Sequence, residues 1–338
     1  MTRARGHASG AGVLGHAYGR IALLRRAWYD RPGRSRRLNH RVISVGNLSV
    51  GGSGKTPVVA LLARLLRDRG ERPVILTRGY GRRDVTEGVV VVSDGARVLE
   101  PVTRSGDEPQ MLARALPGVP VLVSADRYMA GLIAQTHCGA TVSLLDDGFQ
   151  HVRLARDVDL LLISPDDLND RVLPAGRLRE PLSAARAADA VLVPGTEDDV
   201  ARVAAALERR DAFRIATHYG PIARPVGPVL SDPPRPVLSD PPRPIIAFAG
   251  IARPQRFFDA LRALGYDVAR ELSFGDHHWY TPRDIDTIRA AARDVNAEQI
   301  VTTEKDAVRC DMDVWVLPMS ASIEPSADFE SWLMGRLH

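Results

Sequence analysis

Residues 42 to 56 read Val-Ile-Ser-Val-Gly-Asn-Leu-Ser-Val-Gly-Gly-Ser-Gly-Lys-Thr, an apolar strand that breaks into a glycine-rich turn and reopens as a helix. A strand followed by such a turn commits the chain to a layered α/β fold, because the strand must be covered on both faces by helices. Glycines at 51, 52 and 54 let the backbone come close to a ligand, and the amides of Gly51 to Lys55 are placed to wrap phosphate oxygens at the positive end of the helix. Lys55 would reach the terminal phosphates and Thr56 would offer its hydroxyl to Mg²⁺. The turn therefore assigns Ser49, Val50, Gly51, Gly52, Ser53, Gly54, Lys55 and Thr56 to a nucleotide. Ser49 stands where the usual pattern has glycine, and the three glycines that follow preserve the turn. A purely structural glycine turn is the competing reading, and the strand–helix context weighs against it.

Past this turn, apolar strand-like runs alternate with helical patterns. Pro57 to Arg69 reads as a helix; Pro73 to Thr77, Val121 to Ser124, Thr141 to Leu145, Val158 to Ile163 and Ala190 to Val193 read as buried strands. This alternation predicts a P-loop NTPase-like, mostly parallel sheet flanked by helices over residues 41–220, with ligands beyond the carboxyl ends of the strands. Residues 221–244 are proline-rich and contain Pro228 to Arg235 repeated without mismatch as Pro236 to Arg243, a linker composition. Strand and helix patterns resume over 245–338, which predicts a smaller C-terminal α/β lobe.

Residues 1–40 differ from the rest. Up to Arg41 the chain carries ten arginines against one acid, Asp30, and Leu14, Tyr18, Ile21, Leu24 and Trp28 recur at helical spacing. Such a basic amphipathic helix suits an anionic membrane surface, and equally suits docking on the protein's own core. No stretch approaches the ~20 apolar residues of a spanning helix, and no signal-peptide pattern opens the chain. With only Cys138 and Cys310, no disulfide framework is expected. A cytoplasmic protein is the expectation, with neither nucleic acid nor an obligate protein partner.

Of 45 cationic side chains only Lys55 and Lys305 are lysines. Arginine and lysine are not interchangeable at a tight site, so both positions are marked as places where a compact ammonium is needed. A second acidic element is expected beside the turn, and Asp146-Asp147-Gly148 supplies it at the end of a strand, where paired carboxylates are costly without a cation or solvent. A GTPase reading fails: Leu145 puts the aspartates out of register for DxxG, and Thr302 to Asp306 matches NKxD only loosely. Two further loops carry several ionisable groups, Ser105 to Pro109 with Asp107 and Glu108, and Phe274 to Tyr280 with His277 and His278. An aspartate that orients an attacking hydroxyl beside a histidine is an economical design for phosphoryl transfer. Taken alone, Asp107 reads more readily as a helix N-cap.

The succession VGNLSVGGSGKTP (45 to 57), TRGYGR (77 to 82), GDEP (106 to 109), LLDDGFQH (144 to 151), LPAGRLREP (173 to 181), FAGIARPQRFF (248 to 258), DHHWY (276 to 280) and TEKDAVRC (303 to 310) resembles the lipid A 4'-kinase (tetraacyldisaccharide 4'-kinase) family in order and spacing across nearly the whole chain. The family commonly carries Ser or Thr at position 49. The resemblance implies transfer of the ATP γ-phosphate to the 4'-hydroxyl of a tetraacyldisaccharide 1-phosphate, a lipid A disaccharide precursor, at the cytoplasmic face of the inner membrane. It also implies Asp107 as catalytic aspartate with His277 as partner, Asp146 and Asp147 serving Mg²⁺, and Arg127, His151, Arg179 and Glu180 as weaker candidates for positioning phosphate or metal. The duplicated linker is not part of the family pattern. A membrane-associated regulatory P-loop ATPase without a lipid acceptor is the alternative that the motifs alone leave open.

Overall fold

The structure, a computed structural model, describes residues 5–52, 54–227 and 244–337. Ser53 and the repeat at 228–243 lie outside the described residues. A long helix α1 (Arg5–Tyr29) precedes β1 (Arg41–Asn47), α2 (Lys55–Asp68), β2 (Pro73–Thr77), β3 (Val90–Ser93), α3 (Val102–Ser105), α4 (Asp107–Ala115), β4 (Val121–Val123), α5 (Arg127–His137), β5 (Val142–Asp146), β6 (Val158–Leu162), β7 (Ala190–Pro194), α6 (Glu197–Leu207) and β8 (Ala212–Tyr219). The second lobe adds β9 (Ile245–Ala249), α7 (Pro254–Ala263), β10 (Val268–Ser273), α8 (Pro282–Asp294), β11 (Gln299–Thr303), α9 (Glu304–Ala307) and β12 (Trp315–Leu317), before β13 (Met319–Glu324) and α10 (Ser326–Leu337).

The large sheet runs β13-β8-β7-β6-β1-β5-β2-β4-β3, and all its pairings are parallel except the outermost ones, β13 with β8 and β3 with β4. Its central strands are buried along their length, as in β1, where Val42, Ile43 and Val45 are at most 1% exposed. Burying each such side chain contributes ~1.5–3 kcal/mol, which is why strands in this sheet read as unbroken apolar runs. β1 sits between β5 and β6, so the turn after β1 and the acidic end of β5 emerge side by side. The small sheet, β10-β9-β11-β12, is entirely parallel.

Two placements differ from the expected boundaries. β13 and α10 do not stay with the small lobe: β13 pairs antiparallel with β8, and Ile323, Phe329, Leu333 and Leu337 join the core of the large sheet. An antiparallel edge strand can be added by a returning chain at low cost, so the local pattern of 319–337 carries no sign of which sheet it joins. The start of the expected linker is structured as well. Ile222 is buried in the small-lobe core and Ala223 exchanges backbone hydrogen bonds with Val316.

α1 docks through two glycines, Leu23 and Arg26, and not through its regularly spaced apolar stripe. A Cβ on Gly15 would lie 2.9 Å from the Val172 carbonyl oxygen and one on Gly19 2.8 Å from Pro181 Cγ, so the helix backbone lies directly against the 172–181 segment. Two turns further on, Arg26 pairs with Glu180 at 3.0 Å, donates to the Phe149 carbonyl at 2.9 Å and lies 4.0 Å from the Phe149 ring centre. The apolar stripe points outward, with Ile21 65% and Leu24 70% exposed. Among the described residues no helix is long and apolar enough to cross a membrane.

Candidate active site

The turn between β1 and α2 is held by the segment that also receives α1. Val50 donates its amide to Arg177 O at 2.8 Å, Arg179 donates its own to Leu48 O at 2.6 Å, and Ser49 forms an isolated bridge with Leu178. Gly51 and Gly54 take φ of 103° and 81°, the left-handed region that disfavours a side chain. Gly54 ends the turn and α2 begins at Lys55 with no side-chain cap, which leaves its first amides directed at the hollow of the turn. Lys55 Nζ donates to Asn47 Oδ1 at 2.9 Å and lies 3.4 Å from Asp147 Oδ1. Thr56 follows it on the first turn of α2.

The acidic turn after β5 fits closely beside this loop. A Cβ on Gly46 would lie 2.4 Å from Phe149 Cβ and 2.7 Å from its backbone nitrogen, so glycine at 46 is what lets the 146–149 turn pack over β1. Asp147 has a positive φ of 53° and is gripped by Arg179, which donates through both terminal nitrogens at 2.8 Å and also bonds Asn47 Oδ1. Burial alone would raise the Asp147 carboxyl, but the Arg179 hydrogen bonds and the Lys55 charge outweigh it and hold it well below the usual carboxylate range. Asp146 behaves oppositely: burial, then the Glu108 and Asp147 charges, push it up against the pull of Lys55 and Arg127. Thr77 Oγ1 donates to it at 3.4 Å.

The two aspartates are thus not equivalent. Asp147 already has its cations, whereas at Asp146 burial and the neighbouring carboxylates outweigh Lys55 and Arg127, the environment that a divalent ion would satisfy. No group of three or more His, Cys, Asp or Glu among the described residues forms a ready-made metal cluster. Mg²⁺ takes one or two protein ligands and completes its shell with phosphate oxygens and water. Of the residues expected to serve Mg²⁺, Asp146 has the environment that fits this role.

A second cluster joins the two lobes. Asp107 opens α4 immediately after the N-cap residue Gly106, which has a φ of 90°, so the aspartate is the first helical residue and not the cap. It is 3% exposed. His277, on the loop after β10 and at a positive φ of 57°, presents Nδ1 to Asp107 Oδ2 at 2.8 Å. Burial raises the Asp107 carboxyl, but the His277 hydrogen bond and the Lys305 and Arg309 cations prevail and keep it low. Glu108 connects the clusters: it accepts from Lys305 Nζ at 3.2 Å and its charge is felt at Asp146.

The remaining expected residues divide by partner. Arg127 is buried, its guanidinium held down to about 10 by burial and by Arg78, and it acts electrostatically on both aspartates. His151 is pushed down to about 4 by burial and by Arg127, with Nε2 buried and unbonded. Arg179 belongs to the phosphate turn, as described. Glu180 is engaged by Arg26 through both carboxylate oxygens and serves as the anchor of α1. His278 stacks on Phe274 and bonds Asp284 at 3.1 Å, outside the reacting cluster. Sequence reasoning missed Arg309, whose side chain is 1% exposed and spans Asp107 at 3.1 Å and Asp306 at 2.6 Å. Its spacing of four residues from Lys305 was the available signal.

Sheet order, phosphate turn and facing clusters place the molecule among the P-loop kinases, with the phosphate turn in one lobe and part of the second cluster supplied by the other. The chain belongs to the tetraacyldisaccharide-1-P 4'-kinase family, LpxK, whose model matches residues 12–338, and which acts in lipid A biosynthesis. It is 41% identical over 327 residues to the tetraacyldisaccharide 4'-kinase of Syntrophus aciditrophicus, covering 91% of this chain and 87% of that protein. It is 44% identical over 280 residues to that of Geobacter metallireducens, covering 82% and 80%. Among solved structures it resembles LpxK of Aquifex aeolicus in complex with ATP, with a TM-score of 0.77 at 34% identity over 96% of this chain and 98% of that one.

Proposed function

We propose that this chain moves the γ-phosphoryl group of ATP to the 4'-hydroxyl of a tetraacyldisaccharide 1-phosphate, with Asp107 and His277 receiving the hydroxyl and residues 49–56 holding the phosphates. One observation carries the reading: Asp107 from the large lobe and His277 from the small lobe meet at 2.8 Å, and the adjacent Glu108 links them electrostatically to the acidic turn beside Lys55. Amides of the turn and the Lys55 ammonium bind the phosphate tail and orient its terminal group. The Asp107 carboxylate, ionised and pinned by Arg309, accepts a hydrogen bond from the acceptor hydroxyl. As the new O–P bond forms and the bond to the ADP oxygen breaks, the hydroxyl proton passes to an Asp107 oxygen. Mg²⁺, held by Asp146 and Thr56, would neutralise charge that builds on the phosphate oxygens.

The exposed stripe of α1, with Arg20, Arg25, Arg31 and Arg34 beside it, supports docking on an anionic membrane where the acylated acceptor resides. The deciding experiment supplies γ-labelled ATP and a lipid A disaccharide precursor in mixed micelles. Label in the lipid is expected; label released only as free phosphate would overturn the reading in favour of an ATPase without an acceptor.

A further inference from the structure

We propose that Lys305 is a positioning residue that fixes the proton of His277 on Nδ1, so that the ring serves as a donor to Asp107. This deepens the kinase reading and rests on it for its catalytic consequence. Lys305 is one of two lysines in the chain, and its Nζ lies 3.2 Å from His277 Nε2. An ammonium has three donors and no acceptor. Nε2 must therefore offer a lone pair, and the single proton of the neutral ring sits on Nδ1, 2.8 Å from Asp107 Oδ2.

The alternatives fail at both ends of the ring. With the proton on Nε2, an N–H would face the ammonium and a lone pair would face the carboxylate. A doubly protonated ring would restore the bond to Asp107 but would set an N–H and a positive charge against Lys305. Every charged neighbour of the ring is accounted for. Asp276 Oδ2, the one group that would favour a proton on Nε2, lies 3.9 Å away, and its Oδ1 is 3.7 Å from the same ammonium. Glu108 at 3.2 Å and Asp107 at 3.9 Å complete the carboxylates around Nζ. Arg309 stands behind Asp107, and Tyr80 meets the ring edge to face at 5.3 Å.

The consequence is a division of labour. With its Nε2 lone pair engaged, His277 is not the group that takes the acceptor's proton; it orients the Asp107 carboxylate and leaves that carboxylate to meet the hydroxyl. Arginine would supply the charge, but its planar fork would not place one donor between Nε2 and Glu108 in the same way.

The test uses the full chain with ¹⁵N-labelled histidine, assigned against His277→Asn. In wild type, Nε2 of residue 277 is expected to give the unprotonated resonance. Lys305→Met and the uncharged Lys305→Gln, whose amide can accept as well as donate, are each expected to populate the Nε2–H form. In both, kcat should fall at least ~10-fold while KM for ATP stays within about twofold. A wild-type ring protonated on Nε2, or tautomer populations unchanged in both variants, would overturn the proposal. If lipid phosphorylation is absent in wild type, the kinase reading fails, while the tautomer measurement still decides the role of Lys305 because it needs neither nucleotide nor lipid.

Discussion

Replacing Arg26 with alanine would strand the Glu180 carboxylate. Both side chains of the pair are 6% exposed, and Arg26 also donates to the Phe149 carbonyl and lies over its ring. Removing one partner of a buried pair costs ~3–5 kcal/mol because an uncompensated charge is left behind. The lost stacking adds ~0.5–2 kcal/mol. Against this, α1 has few other anchors: its fully buried described positions are Gly15, Gly19 and Arg26, Leu23 packs partly against the Phe149 cluster, Arg25 donates to the Gln150 carbonyl, and Leu14, Tyr18, Ile21, Leu24 and Trp28 are exposed. The less costly response is for α1 to leave and for water to reach Glu180, so the loss is capped near the free energy of docking one terminal helix. Hydrogen exchange reads this directly. In Arg26→Ala the α1 amides should lose protection while those of β1 and β5 keep theirs. Replacing both partners by methionine removes the charges together and should restore α1 protection, since apolar replacement of a buried pair is often neutral or better. Wild-type protection of α1 in Arg26→Ala would refute the reasoning, as would simultaneous loss of protection in the core strands.

Asp107→Ala and His277→Ala should each lower turnover by ~10²–10⁴-fold with ATP affinity retained, checked by steady-state kinetics and calorimetric nucleotide binding. Gly46→Ala should cost ~1–3 kcal/mol in chemical denaturation and weaken nucleotide binding further, because the new Cβ must displace Phe149 and with it the acidic turn. The depressed His151 gives a pH dependence of known sign. The unfolded state takes up a proton near pH 6.5 that the folded state refuses until about pH 4, so this residue's contribution is complete above 6.5 and is lost as pH falls towards 4. His151→Leu should flatten the stability profile across that window, measured by urea unfolding at successive pH values.

What could be read from the sequence follows from how far apart the cooperating residues lie. The phosphate turn is local: Asn47, Gly51, Gly54 and Lys55 fall within nine residues, and the backbone conformation they require is written into glycine and its neighbours. The acidic turn was legible for the same reason, although its asymmetry was not, since Asp147 is neutralised by Arg179 from 32 residues away. The acceptor cluster lies at the other extreme. Asp107 and His277 are separated by 170 positions, and each alone resembles an ordinary helix start or a surface histidine. Only the docking of the small lobe brings Lys305 and Arg309 onto them, and only burial turns Arg309 from one arginine among many into the group that pins the base. The return of β13 to the large sheet shows the same limit, because a short edge strand that buries only Ile323 fits either sheet equally well by pattern. Its pairing with β8 ties the end of the second lobe back to the first. The small lobe is therefore tethered to the large sheet by the backbone on both sides, entering after β8 and leaving into β13, which limits how far His277 can move from Asp107.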